Sequence, residues 1–414
     1  MKILHVVYTD EGGGASKAVM RLHKSLLTNN IDSYVLVQIK KGDNFRILTN
    51  NSILNRISYF FRFYLSRILL KFFLKTHNQN LHSLQLFSGS FVNYINNSDF
   101  DIIHLHWFQH EMLSVYDISK ISKPIVWTLH DMWPFCGSEH ITDTKRHILG
   151  YKSTNRPSFE SGFDFNLFTW NRKMKFWRNQ LQLIAPSKWM ADEAHSSLLF
   201  NSWPIKFIPN TLDTNIYKPI SKIFARDLFG LPKNEILLLY GAIQGSKYHN
   251  KGFDLIEEVF NYLTSNYENL SFQIVIFGQS ETKEKSSICY PIKYMGHIYD
   301  DITLALLYSA CDVLLVPSRI ESFCQTASEA QSCGTPVVCF NTSGLKTTVK
   351  HLESGYLAKT FDIVDFANGI LWVLNQDSKT LSRNARNFAI ETFDFTVAGK
   401  SHIDLYNSIL SIKN

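Results

Sequence analysis

Short β-rich apolar runs alternate with longer stretches of helical period along most of the chain, the pattern of parallel sheets built from strand–helix–strand units. In a first series Ile3 to Tyr8 reads as a strand and Ala15 to Thr28 as a helix, followed by strands at Ser33 to Val37, Ile102 to His106, Ile125 to Leu129 and Gln182 to Ala185. A second series runs through a strand at Ile236 to Tyr240, a helix from Gly252 to Ser265, and strands at Phe272 to Phe277, Val313 to Val316 and Val337 to Phe340. Between them the run FIPNTLDTNIYKP is rich in Asn, Asp, Thr and Pro, which is the chemistry of a loop and of an interdomain hinge. The expected fold class is therefore α/β, with two Rossmann-like doubly wound domains dividing near residue 205. Such domains carry their binding loops at the carboxyl ends of the strands, where two sets can face one another across a central cleft. His140 to Glu160 is polar and lacks periodicity, and reads as a long loop.

With 414 residues, 45% hydrophobic and 19% charged, the chain is too long for one core and too apolar for disorder. Its net charge of +6 is localised: no acidic residue lies between Asp43 and Asp99, while Arg46, Arg56, Arg62, Arg67, Lys71 and Lys75 do. Elsewhere the signs cancel, which argues against a nucleic-acid coat and for one local basic surface. The segment ILNRISYFFRFYLSRILLKFFL, Ile53 to Leu74, carries four of these cations among aromatic and aliphatic residues. Charges costing about 2.5 to 3.5 kcal/mol each near the bilayer centre exclude a membrane span. On a helix turning about 100° per residue, Arg56, Arg67, Lys71 and Lys75 share one face and Arg62 lies off it. That suits either a helix lying in an anionic lipid interface or a hydrophobic helix packed between a domain core and solvent. The six cysteines form no C-x-x-C pair, and the opening apolar run is too short for a signal peptide, so a cytosolic chain is expected.

Candidate chemistry falls on loops after strands. Gly12-Gly13-Gly14 joins the first strand to a helix, which is either an anion cradle or a tight turn. His130 and Asp131 follow the strand Ile125 to Leu129; His130 can serve a sugar hydroxyl or a developing charge, or be satisfied by a carbonyl. His104 and His106 alternate on an apolar strand and read as packed; with no Cys or Glu at ligand spacing nearby, zinc is not expected. Lys251 before Gly252 places a cation at a helix mouth, with Lys247 a second candidate, though either could be a solvated loop lysine. Glu321 and Glu329 lie eight positions apart. Along a helix they would be separated by about 12 Å, suited to gripping hydroxyls at two ends of a ligand and too far apart for a hydrolase pair. Two unrelated surface glutamates would give the same spacing. The single D-x-D, Asp99-Phe100-Asp101, reads as the polar start of a strand rather than a metal site.

Taken together, Pro317-Ser318 with Glu321-x7-Glu329, Cys333-Gly334-Thr335-Pro336-Val337-Val338, Lys251-Gly252, Ala185-Pro186-Ser187-Lys188-Trp189, Ile208-Pro209-Asn210 with Asp213, and the amino-terminal glycines resemble the glycosyltransferases of family 4. These elements span almost the entire chain. His130-Asp131-Met132-Trp133-Pro134-Phe135 further resembles the subset that builds bacterial surface polysaccharides such as colanic acid and O-antigen.

The resemblance implies a GT-B fold: an acceptor-binding domain at 1–205, a nucleotide-sugar-binding domain at 206–385, and a helical segment at 386–414 packing back on the first domain. It implies a retaining enzyme that moves a sugar from a nucleotide-diphosphate sugar to a hydroxyl of a lipid-linked oligosaccharide or polyprenyl-linked acceptor. Glu321 would contact the donor sugar with Ser322 and Phe323 beside it, Glu329 the ribose, Lys251 the diphosphate, His130 the sugar near the reacting carbon, and Gly13 and Gly14 the donor near the acceptor. No metal and no cofactor is expected, the nucleotide sugar being a substrate. The location implied is cytoplasmic, with peripheral contact to the inner membrane through the basic segment. Two departures stand out. Ala242 replaces the arginine common after the glycine of the phosphate strand, leaving Lys247 or Arg319 to supply a second charge, and the cysteine-rich loop of the colanic-acid subset is missing after Gly137. Rival readings are an epimerase or hydrolase of the same architecture, which would turn over donor without acceptor, and a non-catalytic nucleotide-sugar-binding subunit.

Overall fold

The amino-terminal run KILHVVYT is apolar on both faces, as a strand covered on both sides must be, and it forms β1 (Lys2–Thr9), buried from Ile3 to Val7. The computed structural model describes residues 1–50, 52–76, 80–241, 248–281 and 288–411. Further strands along the first part of the chain are β2 (Asp32–Ile39), β3 (Ile47–Thr49), β4 (Leu74–Thr76), β5 (Ile102–Leu105), β6 (Ile125–Thr128), β7 (Glu160–Gly162), β8 (Gln182–Ala185) and β9 (Ile205–Phe207). Among the described residues these give a seven-stranded sheet in the order β3-β2-β1-β5-β6-β8-β9, parallel throughout, and an antiparallel β4-β7 pair. Strand order reverses between β1 and β5, the topological switch at which doubly wound sheets bind ligands.

The second sheet repeats this logic. Its strands β10 (Ile236–Gly241), β11 (Phe272–Phe277), β12 (Ile292–Tyr294), β13 (Val313–Val316), β14 (Val337–Phe340) and β15 (Gly355–Ala358) run in the order β12-β11-β10-β13-β14-β15, again parallel. The reversal lies between β10 and β13, so the segments carrying Lys251 and Glu321 leave this switch. Leu237, Leu239, Leu314, Val316 and Val337 fill one face and Leu238, Ile274, Leu315 and Val338 the other.

Met1–Ile208 with Gly399–Asn414 forms one compact unit and Pro209–Ala398 the other. The crossing therefore comes at residue 399, later than the 386 read from the sequence. Residues 386–398 stay with the second unit because Arg386 donates to the carbonyls of Thr214, Tyr217 and Ser332, and Ala389 and Phe393 lie in that unit's core. The last helix, Lys400–Ser411, seats Leu405 and Tyr406 against Ile3, Leu22, Leu26 and Val126 of the first. The segment from His140 to Glu160 is not an open loop. It contains the short helix Arg146–Leu149, and Arg146, His147 and Tyr151 are buried. Arg146 reaches Asp164 at 2.7 Å, a long-range charge pair that hydrophobic periodicity does not reveal.

The first unit buries eight histidines, among them His5, His23, His82, His104 and His106, whereas the second buries none among the described residues. Burial lowers His23 and His82 to about 4 and holds His5, His104 and His106 well below the ordinary value. The unfolded chain thus takes up protons that the folded chain refuses, so stability falls as pH drops from 6.5 through 4. A shift of that size corresponds to about 3 kcal/mol per group. Hydrogen exchange at neutral and mildly acidic pH should show protection lost selectively in the first unit; equal loss in both units would contradict this origin.

Candidate active site

In the second unit, Lys251 ends a short turn and the helix Phe253–Asn266 follows it through Gly252. Gly252 has φ 68°, and a Cβ there would lie 2.1 Å from the Pro317 carbonyl oxygen, so only glycine lets this turn touch the loop after β13. That contact brings Lys251 Nζ to 2.6 Å from Glu321 Oε1. Lys251 is about a third exposed and Glu321 less so. Burial works against the lysine's charge, but the Glu321 carboxylate outweighs it and holds the ammonium above its ordinary range. The Glu321 backbone is fixed in turn: its N–H donates to Ser343 Oγ and its carbonyl accepts from the Gly344 N–H. A Cβ on Gly344 would meet the Glu321 and Ser322 carbonyls at 2.6 and 2.5 Å. The Ser343-Gly344 dipeptide was the available sequence signal for this support, and sequence reasoning passed over it.

Glu321 does not lie on a helix, which corrects the helical spacing read from the sequence. The helix Gln325–Ser332 starts only after Cys324, whose φ of 77° breaks the preceding backbone. Glu329 is on that helix and almost fully buried, with Oε2 accepting from Tyr308 Oη at 2.7 Å. Ser322 is half-buried beside Glu321. Phe323 is a correction as regards its side chain: the ring lies in the core edge-on to Phe393, which leaves only its backbone for a ligand. Arg319 is another correction. Its guanidinium grips both Asp254 oxygens at 2.8 and 2.6 Å and the His249 carbonyl, so it already has partners as a clamp on the lysine turn. Lys247 lies outside the described residues.

In the first unit, Gly13 and Gly14 are exposed where β1 passes into the helix Gly14–Thr28. Asp10 shapes the turn by accepting from the N–H groups of Lys41 and Gly42. His130 follows β6, with Nε2 3.0 Å from His106 Nδ1; burial lowers it to about 4, opposed by Asp131. Asp131 is a scaffold residue, accepting from Trp107 Nε1 and the Trp133 N–H and lying 2.6 Å from His140 Nδ1. Burial raises its pKa, but these partners prevail and the net shift is downward. Sequence reasoning missed Lys173. Fully buried on the helix Phe165–Phe176, it donates to the carbonyls of Trp133, Cys136 and Gly137 and lies 3.6 Å above the Trp133 ring. It thereby fixes the loop that carries His130. Asp99 and Asp101 of the D-x-D both engage Lys2.

The basic segment forms the helix Ile53–Phe73, with Ser66 its one buried residue. Lys75 falls beyond it, on β4, which corrects its placement on the helical face; Arg56, Arg67, Lys71 and Lys75 are all exposed. Tyr59 and Arg62 face the unit, Tyr59 Oη 2.8 Å from Tyr8 Oη and Arg62 donating to the Glu111 carbonyl. The opposite side is apolar and open: Leu54, Phe61 and Phe72 are 80%, 66% and 65% exposed. Among the described residues no helix is long and apolar enough to cross a membrane.

A family model described as Glycosyltransferase Family 4 matches residues 12–216, and one described as Glycosyl transferases group 1 matches residues 226–390. The chain is 28% identical over 225 residues to a D-inositol 3-phosphate glycosyltransferase of Saccharomonospora viridis, covering 50% of this chain and 51% of that protein. It thus spans about half the length of such curated relatives. Sucrose-phosphate synthase from Thermosynechococcus elongatus superimposes with a TM-score of 0.67 at 17% identity over 100% of both chains. HepE of Anabaena in complex with UDP-glucose gives 0.64 at 17%, covering 99% of this chain and 100% of that one. At such identities the likeness concerns the fold, which in both sheets is the one described above. With both halves matched in order and both sheets doubly wound, the chain belongs to the glycosyltransferases of family 4 and has their GT-B fold.

Proposed function

We propose that the chain is a retaining glycosyltransferase that moves a sugar from a nucleoside diphosphate to a hydroxyl of a lipid-carried oligosaccharide, in the building of a bacterial surface polysaccharide. The observation that carries this reading is the Lys251–Glu321 pair at the switch of the second sheet. Lys251, at the mouth of the helix Phe253–Asn266, is placed to meet the charge that builds on a departing diphosphate. Glu321, an acceptor-only group when ionised, suits the hydroxyls of the transferred sugar. Glu329 is assigned the ribose, His130 the sugar near its reacting carbon, and Gly13 and Gly14 the close backbone approach. Support for a nucleotide sugar comes from the fold shared with HepE, which was solved with UDP-glucose.

The acceptor hydroxyl attacks the anomeric carbon from the face the diphosphate leaves. The carbon–oxygen bond to phosphate breaks, the new glycosidic bond forms, and the hydroxyl proton passes to a departing phosphate oxygen. Neither a protein nucleophile nor a divalent cation takes part in this scheme. Its polysaccharide setting is supported by the His130 to Phe135 motif, and its lipid-borne acceptor by the exposed apolar and cationic helix Ile53–Phe73, which we assign to an anionic membrane surface on the cytoplasmic side. Labelled nucleotide sugars incubated with lipid-linked acceptor in excess EDTA should yield product at the full rate, with little donor hydrolysis when acceptor is omitted. Activity lost to EDTA and restored by manganese would overturn the metal-free scheme, and equal donor turnover without acceptor would overturn transfer itself.

A further inference from the structure

His5 on β1 and His104 on β5 are register partners, and His106 follows two residues on, so the three imidazoles share one face of the sheet. Their nitrogens lie within 4.8 Å of one another, a composition that also suits a transition metal. Hydrogen bonding accounts for the set differently. His104 is pinned at both ends, Nδ1 2.6 Å from Tyr406 Oη and Nε2 2.7 Å from Thr128 Oγ1. His5 Nδ1 lies 3.0 Å from His106 Nε2, and His106 Nδ1 lies 3.0 Å from His130 Nε2. The one nitrogen left over is His5 Nε2, buried and without a partner. The result is a linear chain of three imidazoles that starts in the core and ends at the partly exposed His130.

Burial keeps His5 and His106 well below the ordinary histidine range and His130 at about 4, so at neutral pH each ring carries a single N–H. Two hydrogen bonds among three such rings can point only one way at a time. In the inward polarity His130 Nε2–H donates to His106, His106 Nε2–H donates to His5, and a His5 N–H is stranded in the core. In the outward polarity His5 Nδ1–H donates to His106 Nε2 and His106 Nδ1–H donates to His130 Nε2. Only a lone pair is then stranded at His5, and buried orphan donors are rarer than under-satisfied acceptors.

We propose that His5 and His106 are positioning residues that lock His130 in the tautomer bearing its proton on Nδ1, so that the loop after β6 presents a fixed N–H donor. This rests on the reading of His130 as the group that touches the transferred sugar. The His104 ring, tilted against His106 with centroids 4.0 Å apart, holds the middle of the chain in place.

Imidazole nitrogen NMR of the full chain at neutral pH, with the His130 signals assigned by their loss in His130→Gln, reads the tautomer directly. A protonated Nδ1 and a bare Nε2 on His130 are expected; the opposite tautomer, or an even mixture, overturns the proposal and needs no positioning variant to do so. In His106→Phe the two forms should mix, and kcat should fall on the order of tenfold with the donor KM little changed. His106→Asn, whose amide N–H stands in for Nδ1–H, should restore most of both. A locked tautomer together with transfer that is indifferent to His130→Gln would leave the tautomer lock standing and remove His130 from the site.

Discussion

Glu321→Gln is expected to lower kcat/KM for sugar transfer on the order of a thousandfold, the loss of two charge-assisted hydrogen bonds worth about 1.5 to 3 kcal/mol each. The substitution keeps shape and removes charge. Stability should change by about 1 kcal/mol or less, because Lys251 is about a third exposed and can turn to water once its partner is neutral. Lys251→Met should cost a comparable factor through the leaving diphosphate, in the range of about a hundredfold to a thousandfold seen when one electrostatic stabiliser is removed. Since the two groups touch at 2.6 Å, the double variant should fall well short of the product of the single losses. Initial rates across a donor series, read beside thermal melts, check all three. Transfer at the parent rate by a folded Glu321→Gln protein would refute the assignment, and full additivity would mean that the pair does not act together on one ligand.

Much of this architecture was legible in the chain because it rests on local signals. The strands Gln182–Ala185, Phe272–Phe277, Val313–Val316 and Val337–Phe340 have the limits read from their apolar runs, since each is buried and bounded by turn residues. The short strands β3, β9 and β12 escaped notice: each is three residues long and mixed in polarity, and becomes a strand only by pairing with a longer neighbour. At the site, Lys251 and Glu321 could be singled out by residue type, but not their contact, which depends on a glycine turn meeting the Pro317 backbone. Cys324 hid the true start of its helix, because nothing about a cysteine announces a left-handed backbone. Lys173 was equally hidden, its role set by carbonyls more than thirty residues away along the chain.

Replacing Phe60, Phe61, Ile68 and Phe72 by serine should abolish binding to vesicles containing phosphatidylglycerol while leaving the fold and donor binding intact. These four side chains are each about half exposed or more on the helix Ile53–Phe73, and the ring contacts of Phe60, to Phe61 and Tyr64, stay within that helix, so their removal costs the folded protein little packing. In an interface each would bury area worth about 1.5 to 3 kcal/mol, and the set therefore amounts to more than about a thousandfold in partitioning. Arg56, Arg67 and Lys71 act by a different force, about 1 kcal/mol per cation near an anionic surface. Reversing them to glutamate should weaken binding at low salt and matter less as salt screens beyond a Debye length of about 8 to 10 Å. The loss caused by the serine set should not vary with salt, because it removes apolar area and leaves the cations in place. Arg62 offers an internal contrast: its guanidinium is spent on the Glu111 carbonyl, so Arg62→Met should perturb the seat of the helix, and hence the melting temperature, more than the charge of the surface. Sedimentation separates lipid from a second copy of the chain as the occupant of this face. Unchanged vesicle binding in both the serine and the glutamate sets, or a dimer that dissociates in the serine set without any affinity for lipid, would take the membrane out of the proposed function and leave the donor chemistry of the second unit untouched.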